Sequence, residues 1–195
     1  HMLYSATARL THKMLPPKTG PEEPYFNSTA LRLPSLISAL LTLAVLAVWL
    51  SVLGMRLAAF ACPLLLSLHP WFIRYASEGR GYAMAFLFVS LGLLFYWKAM
   101  STGRWRWFVA AGIAQFCLLY TNLVSLWFIV VLCAACFIGI LFRKGTNKGD
   151  RLALAGRFLL TNAVFSMAVL IMMWPLKLQL KFGHGEAAYG SEIFK

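Results

Sequence analysis

Six acids are spread through the chain (Glu22, Glu23, Glu78, Asp150, Glu186 and Glu192), and only Glu78 lies between two apolar runs. Holding an ionisable group at a membrane boundary is costly, which makes Glu78 the first candidate for chemistry. Around it stand His69, Trp71, Arg74, Tyr75, Arg80 and Tyr82. If 70–84 is one helix, then Trp71, Tyr75, Glu78 and Tyr82 share a stripe. Arg74 lies one turn before Glu78 and is placed to pair with it. Arg80, two residues on, points to a different face and is not a simple partner of Glu78. An unpaired guanidinium at such a boundary suits a phosphate, because its fork meets two phosphate oxygens at once. A plainer account has Arg74 and Arg80 snorkelling to lipid headgroups, Glu78 neutralising Arg74, and the aromatic rings forming an interfacial belt. His69 before Pro70 also fits a polar helix end, and one carboxylate with one His does not make a metal site.

The elements that must position these residues follow from composition. Of 195 residues, 61% are hydrophobic and 12% charged, against about 25% charged in soluble chains. That excludes disorder and leaves too little polar surface for a soluble domain. Pro34–Leu53 is free of charge for 20 residues, about 30 Å of helix, or one hydrocarbon core. After Gly54-Met55-Arg56 the chain is apolar over 57–68, polar over 69–80, and apolar again over 81–97. A basic loop follows at 98–107. Phe108–Phe142 then runs 35 residues without a charge, which suits two spans with a turn at Thr121-Asn122. Phe158–Leu176 makes the last span. The expectation is an all-α, polytopic membrane protein with about six membrane-associated helices. Its parts are a 1–33 extracytoplasmic loop with a short amphipathic helix over Leu3–Leu15, a 34–176 transmembrane domain, and a polar 177–195 stretch that is an extracytoplasmic tail or the start of a following region.

Loops 54–56, 98–107 and 143–157 hold nine Lys and Arg, whereas 69–80 and 121–122 hold two. This bias places the first group in the cytoplasm and puts Glu78 and Arg80 on the extracytoplasmic side. The net charge of +12 then reflects topology and contact with anionic lipid. A nucleic-acid partner is not expected, because the charges are scattered between spans instead of gathered on one face. Cys62, Cys117, Cys133 and Cys136 sit inside apolar runs, so Cys133-Ala-Ala-Cys136 reads as buried thiols without redox or metal chemistry.

Three stretches carry a family resemblance. Pro70, Tyr75-Ala76, Glu78-Gly79-Arg80 and Tyr82-Ala83 match a motif of the GT-C membrane glycosyltransferases, relatives of the protein O-mannosyltransferases. Leu31-Arg32-Leu33-Pro34-Ser35 resembles the segment that opens the preceding span in that family. His1-Met2-Leu3-Tyr4-Ser5 is similar, more weakly, to the segment after the family's first acidic loop. The order and separations fit, over about residues 1–142. The resemblance implies a polyprenyl-phosphate-linked sugar donor, a glycan, lipid or protein acceptor, and an active site on the extracytoplasmic face of a cell membrane, most simply a bacterial inner membrane. It also implies that the catalytic acid lies upstream of His1, so that the chain starts after the family's first helix. Arg80 would then hold the donor phosphate. Glu78 would orient Arg74 or the acceptor, or assist a divalent metal ion supplied with the missing acids. Tyr75 and Tyr82 would line the sugar or lipid path, with His1 and His69 as further polar contributors. The alternative is a non-catalytic multi-pass protein, either a transporter fragment or a handler of polyprenyl-phosphate lipids.

The orientation is testable by itself. Single cysteines placed in 69–80 should react with a membrane-impermeant maleimide in intact cells, and those in 98–107 only after lysis; the reverse pattern would overturn the assignment.

Overall fold

The computed structural model describes residues 2–15, 28–142 and 147–190. Those residues form α1 (Met2–Met14), α2 (Ser28–Val52), α3 (Arg56–Leu68), α4 (Pro70–Ser77), α5 (Tyr82–Thr102), α6 (Trp105–Thr121), α7 (Leu126–Leu141) and α8 (Lys148–Gly190), with no strand among them. Four segments are long and apolar enough to cross a membrane: Thr29–Val52, Tyr82–Thr102, Leu123–Leu141 and Lys148–Met172. α3 and α4, bent by 68° at the break between them, form together either a broken span or a re-entrant loop. α6, of 17 residues, is uncharged from Phe108 onward. The chain is an all-α, multi-pass membrane protein. Its outward faces are apolar, as at Leu57, Trp127 and Val131, because in lipid an apolar face needs no protein cover.

The core lies where α5, α6, α7 and α8 meet, around Tyr96, Phe108, Ile140, Leu154 and Phe158. A turn at Thr121-Asn122 divides the long apolar run, as its composition predicts. Asn122 leaves the helical conformation at φ −149°, and its side-chain oxygen accepts from the Val124 N–H at 3.2 Å. A 3-10 turn over Leu123–Ser125 then leads into α7. On the opposite side, Gly103 closes α5 in the left-handed region at φ +65°, and Arg157 of α8 donates to its carbonyl.

Two boundaries differ from the sequence reading. α2 starts at Ser28, inside the expected 1–33 loop. α8 starts at Lys148 and runs to Gly190, taking in most of the expected 143–157 loop and part of the expected 177–195 tail. The physical reason at its start is twofold. Asp150 in the first turn complements the helix dipole, while Leu154 and Ala155 are buried in the core, so this basic stretch is amphipathic and has a face to hide. α1 covers Met2–Met14, but it docks through Tyr4 and Ala8, buried against Met84, and leaves the apolar Leu10 and Met14 exposed.

Pro34 lies inside α2. Its missing N–H leaves the Ala30 carbonyl, four residues back, without its helical donor. Thr11 of α1 donates to that oxygen at 2.7 Å, and Tyr4 donates to the neighbouring Leu31 carbonyl. The first helix thus docks on the carbonyl that the proline leaves open and on its neighbour.

α6 and α8 pack tightly at Gly112, where an added Cβ would overlap the Phe165 ring. Gly112→Ala is expected to destabilise the bundle: overpacking costs about 1–3 kcal/mol, more than the helix-propensity gain of up to about 1 kcal/mol. Gly92→Ala, with nothing within 4 Å of its added carbon, should leave the melting temperature in detergent unchanged or higher. Equal effects of the two substitutions would contradict this packing.

Candidate functional site

The stripe expected over 70–84 is not one helix. α4 ends at Ser77, Glu78 caps it, and Gly79 takes φ +65° before α5 starts at Tyr82. Glycine is the residue that adopts this left-handed conformation without steric cost. It is also the residue that fits: an added Cβ would lie 3.2 Å from the Tyr4 hydroxyl and 3.4 Å from Arg32 Cγ. The turn at 78–81 therefore rests on both α1 and the start of α2. Ser35 ties it down by donating to the Arg80 carbonyl at 2.9 Å.

The rings reach each other across this break. The Tyr75 and Tyr82 centroids are 4.9 Å apart, those of Tyr75 and Phe86 6.1 Å, and those of Trp71 and Tyr75 6.0 Å. Trp71, Tyr75 and Tyr82 thus form an aromatic wall with Phe86, made by a fold-back where a continuous helical stripe was expected. Trp71 also carries the Arg74 guanidinium 5.1 Å from its ring centroid.

Arg74 and Glu78 form the expected pair, with Nε donating to Oε1. The expectation for Arg80 is corrected. Its Nε lies 3.8 Å from Glu78 Oε2, because the left-handed Gly79 swings residue 80 back where a continuous helix would have turned it away. The contact is loose, and the Arg80 side chain keeps 63% of its surface exposed. The Arg74 hydrogen bond first, then the charges of Arg74 and Arg80, hold the Glu78 carboxyl below the usual carboxylate range. Burial pushes the Tyr4 phenol up, so it remains a donor to Leu31 at neutral pH.

His69 is not part of this corner. It forms the kink between α3 and α4 and makes no side-chain cap bond. At 1.5 Å per residue it stands roughly 13 Å along α4 from Glu78. His1 lies outside the described residues. Arg32, from the Leu31–Ser35 segment, is brought to the site by the structure. It lines a cleft of about 350 Å³ between α2 and α4, with Thr29, Leu33, Leu36, Ile73 and Ser77. The signal for it was its place just before Pro34, but spacing alone did not show that 32 and 79 would touch.

No group of three His, Cys, Asp or Glu that could hold a metal occurs among the described residues. Glu78 is already engaged by two guanidinium groups, so the residues of this corner do not fit a divalent ion. Their arrangement suits an anion instead, with an exposed guanidinium, an aromatic wall and an apolar cleft side by side. No family model matches this chain, and no curated protein or solved structure resembles it significantly.

Because Glu78 is held ionised, the interactions it makes are complete at neutral pH and are lost only as acidification passes through its lowered pKa. Arg74→Ala removes the main cause, so the Glu78 carboxyl in that variant should titrate at higher pH, closer to an ordinary Glu. The carbon chemical shift of labelled Glu78, followed against pH, reads this. An unchanged titration would mean that the Arg74 pair does not set it.

Proposed function

We propose that this chain is part of an integral-membrane glycosyltransferase of the GT-C type. It would use a polyprenyl-phosphate-linked sugar on the extracytoplasmic face of a cell membrane, of bacterial inner-membrane kind. One observation supports the reading above others: the three stretches that carry the resemblance, far apart in sequence, converge on one corner. Tyr4 bonds to Leu31, Ser35 bonds to Arg80, and Gly79 rests against Tyr4 and Arg32.

The chemistry follows from the groups at that corner. An acceptor oxygen attacks the anomeric carbon, the bond from that carbon to the phosphate oxygen breaks, and the phosphate leaves with the electron pair. Charge grows on the phosphate as it leaves, and fixed cations at that point lower the barrier. Arg80 is the residue for this role, with Arg32 beside it. Glu78 is tied up by Arg74, so its part is to position the two guanidinium groups, not to take a proton. The acceptor proton goes to a general base outside this corner. Tyr75 and Tyr82 offer a face for a sugar ring, and the apolar α2–α4 cleft offers a path for the lipid tail.

A second reading has a specific observation in its favour. The only carboxylate at the corner among the described residues is paired with cations, as in a protein that binds polyprenyl-phosphate lipids without reacting them. The two readings separate in the full-length protein, incubated with a radiolabelled polyprenyl-phosphate sugar. Arg80→Ala should lower transfer about 10²–10³-fold, the range for loss of one charge-stabilising group. Unchanged transfer with unchanged donor affinity would remove Arg80 from the role. Donor binding without any transfer in the unaltered protein would favour the lipid handler.

A further inference from the structure

A second polar feature lies inside the α5–α8 bundle, on residues that do not line the corner. Tyr96 donates to Asn162 Oδ1 at 3.0 Å, and Cys133 Sγ donates to the same oxygen at 3.2 Å. Asn162 spends its own N–H on the Phe158 carbonyl at 2.8 Å. Gln115 in turn donates to Cys133 Sγ at 3.3 Å. The directions are therefore fixed along the chain Gln115, Cys133, Asn162, Tyr96, and the chain begins at a carboxamide whose oxygen accepts no hydrogen bond among the described residues. Gln115 is only 6% exposed. Counted from Trp105 at 1.5 Å per residue, it stands about 15 Å into α6, inside the uncharged run that starts at Phe108. Polar groups inside such a run bind neighbouring helices or mark a functional site.

Gln115 borders a cavity of about 280 Å³ between α6, α7 and α8. Asn162 and Ser166 add polar atoms, while Leu119, Ile129 and Phe165 are among its apolar walls. Leu126 and Val130, both largely exposed, stand on the face that would meet lipid. No charged residue lines the cavity. A ligand therefore arrives from the bilayer, is uncharged, is mostly apolar, and brings one hydrogen-bond donor for the Gln115 oxygen.

We propose that this cavity binds a neutral long-chain alcohol, its hydroxyl donating to Gln115 and its chain lying between α6, α7 and α8. The site is separate from the Arg80 corner and does not depend on glycosyl transfer. The test uses the purified protein in phosphatidylcholine nanodiscs and a diazirine-bearing dodecanol. After illumination, the label should map to the cavity walls on α7 and α8, and excess dodecanol, but not dodecane, should reduce it at least tenfold. Val130→Trp, which fills the open side without touching the polar chain, should reduce it similarly, as should Gln115→Leu. Labelling spread along lipid-facing positions such as Val131, indifferent to dodecanol and to Val130→Trp, would overturn the proposal. Absence of label from the cavity would also overturn it and would leave water as the partner of Gln115.

Discussion

The arrangement depends on one carbonyl that a proline leaves open, and on its neighbour. Pro34 deprives Ala30 of its helical hydrogen bond, and α1 supplies donors to Ala30 and Leu31 through Thr11 and Tyr4. In water such groups would simply be solvated. At the edge of a bilayer they need protein partners, so the proline becomes an attachment point for a helix that has too little apolar surface to insert by itself. Tyr4 then stands beside Gly79, and the start of α2 holds the 78–81 turn through Ser35. A short polar turn between helices is in this way fixed from two sides.

That fixation decides what the charges do. In a continuous helix Glu78 would pair with Arg74 and leave Arg80 on another face. The left-handed glycine instead draws Arg80 within 3.8 Å of the same carboxylate. One acid thus organises two guanidinium groups, and a third, Arg32, comes from α2. The corner is rich in exposed positive charge and holds no spare carboxylate among the described residues, an environment suited to a phosphate ester at the membrane surface. The aromatic contact of Tyr75 with Tyr82 is a product of the same fold-back.

Much of the fold was legible because the bilayer imposes a coarse rule on sequence. Runs without charge had to be helices, and the turn at Asn122 announced itself by length alone. Boundaries were harder wherever amphipathic pieces join apolar ones. The basic start of α8 looked like a loop because charge was read without the Leu154 and Phe158 face beneath it, and α2 extended back to Ser28 through residues of mixed character. In the site, Arg74 with Glu78 was legible because a pair four residues apart obeys local helix geometry. The placement of Arg80, the entry of Arg32 and the remoteness of His69 were not, since each depends on the sign of one φ angle at Gly79 or on contacts between distant segments. The polar chain through Gln115 and Cys133 was hidden for the same reason: Cys133 reads as one more apolar residue until Asn162 is found beside it.

The convergence of three distant segments is the central claim, and proximity cross-linking tests it most directly. With Tyr4 replaced by the photo-crosslinker benzoylphenylalanine in the membrane-embedded protein, illumination should join position 4 to peptides containing Leu31–Ser35 and Gly79–Arg80. Cross-links to lipid alone, or to peptides from α7 and α8, would show that the first helix does not rest on this corner and would contradict the account.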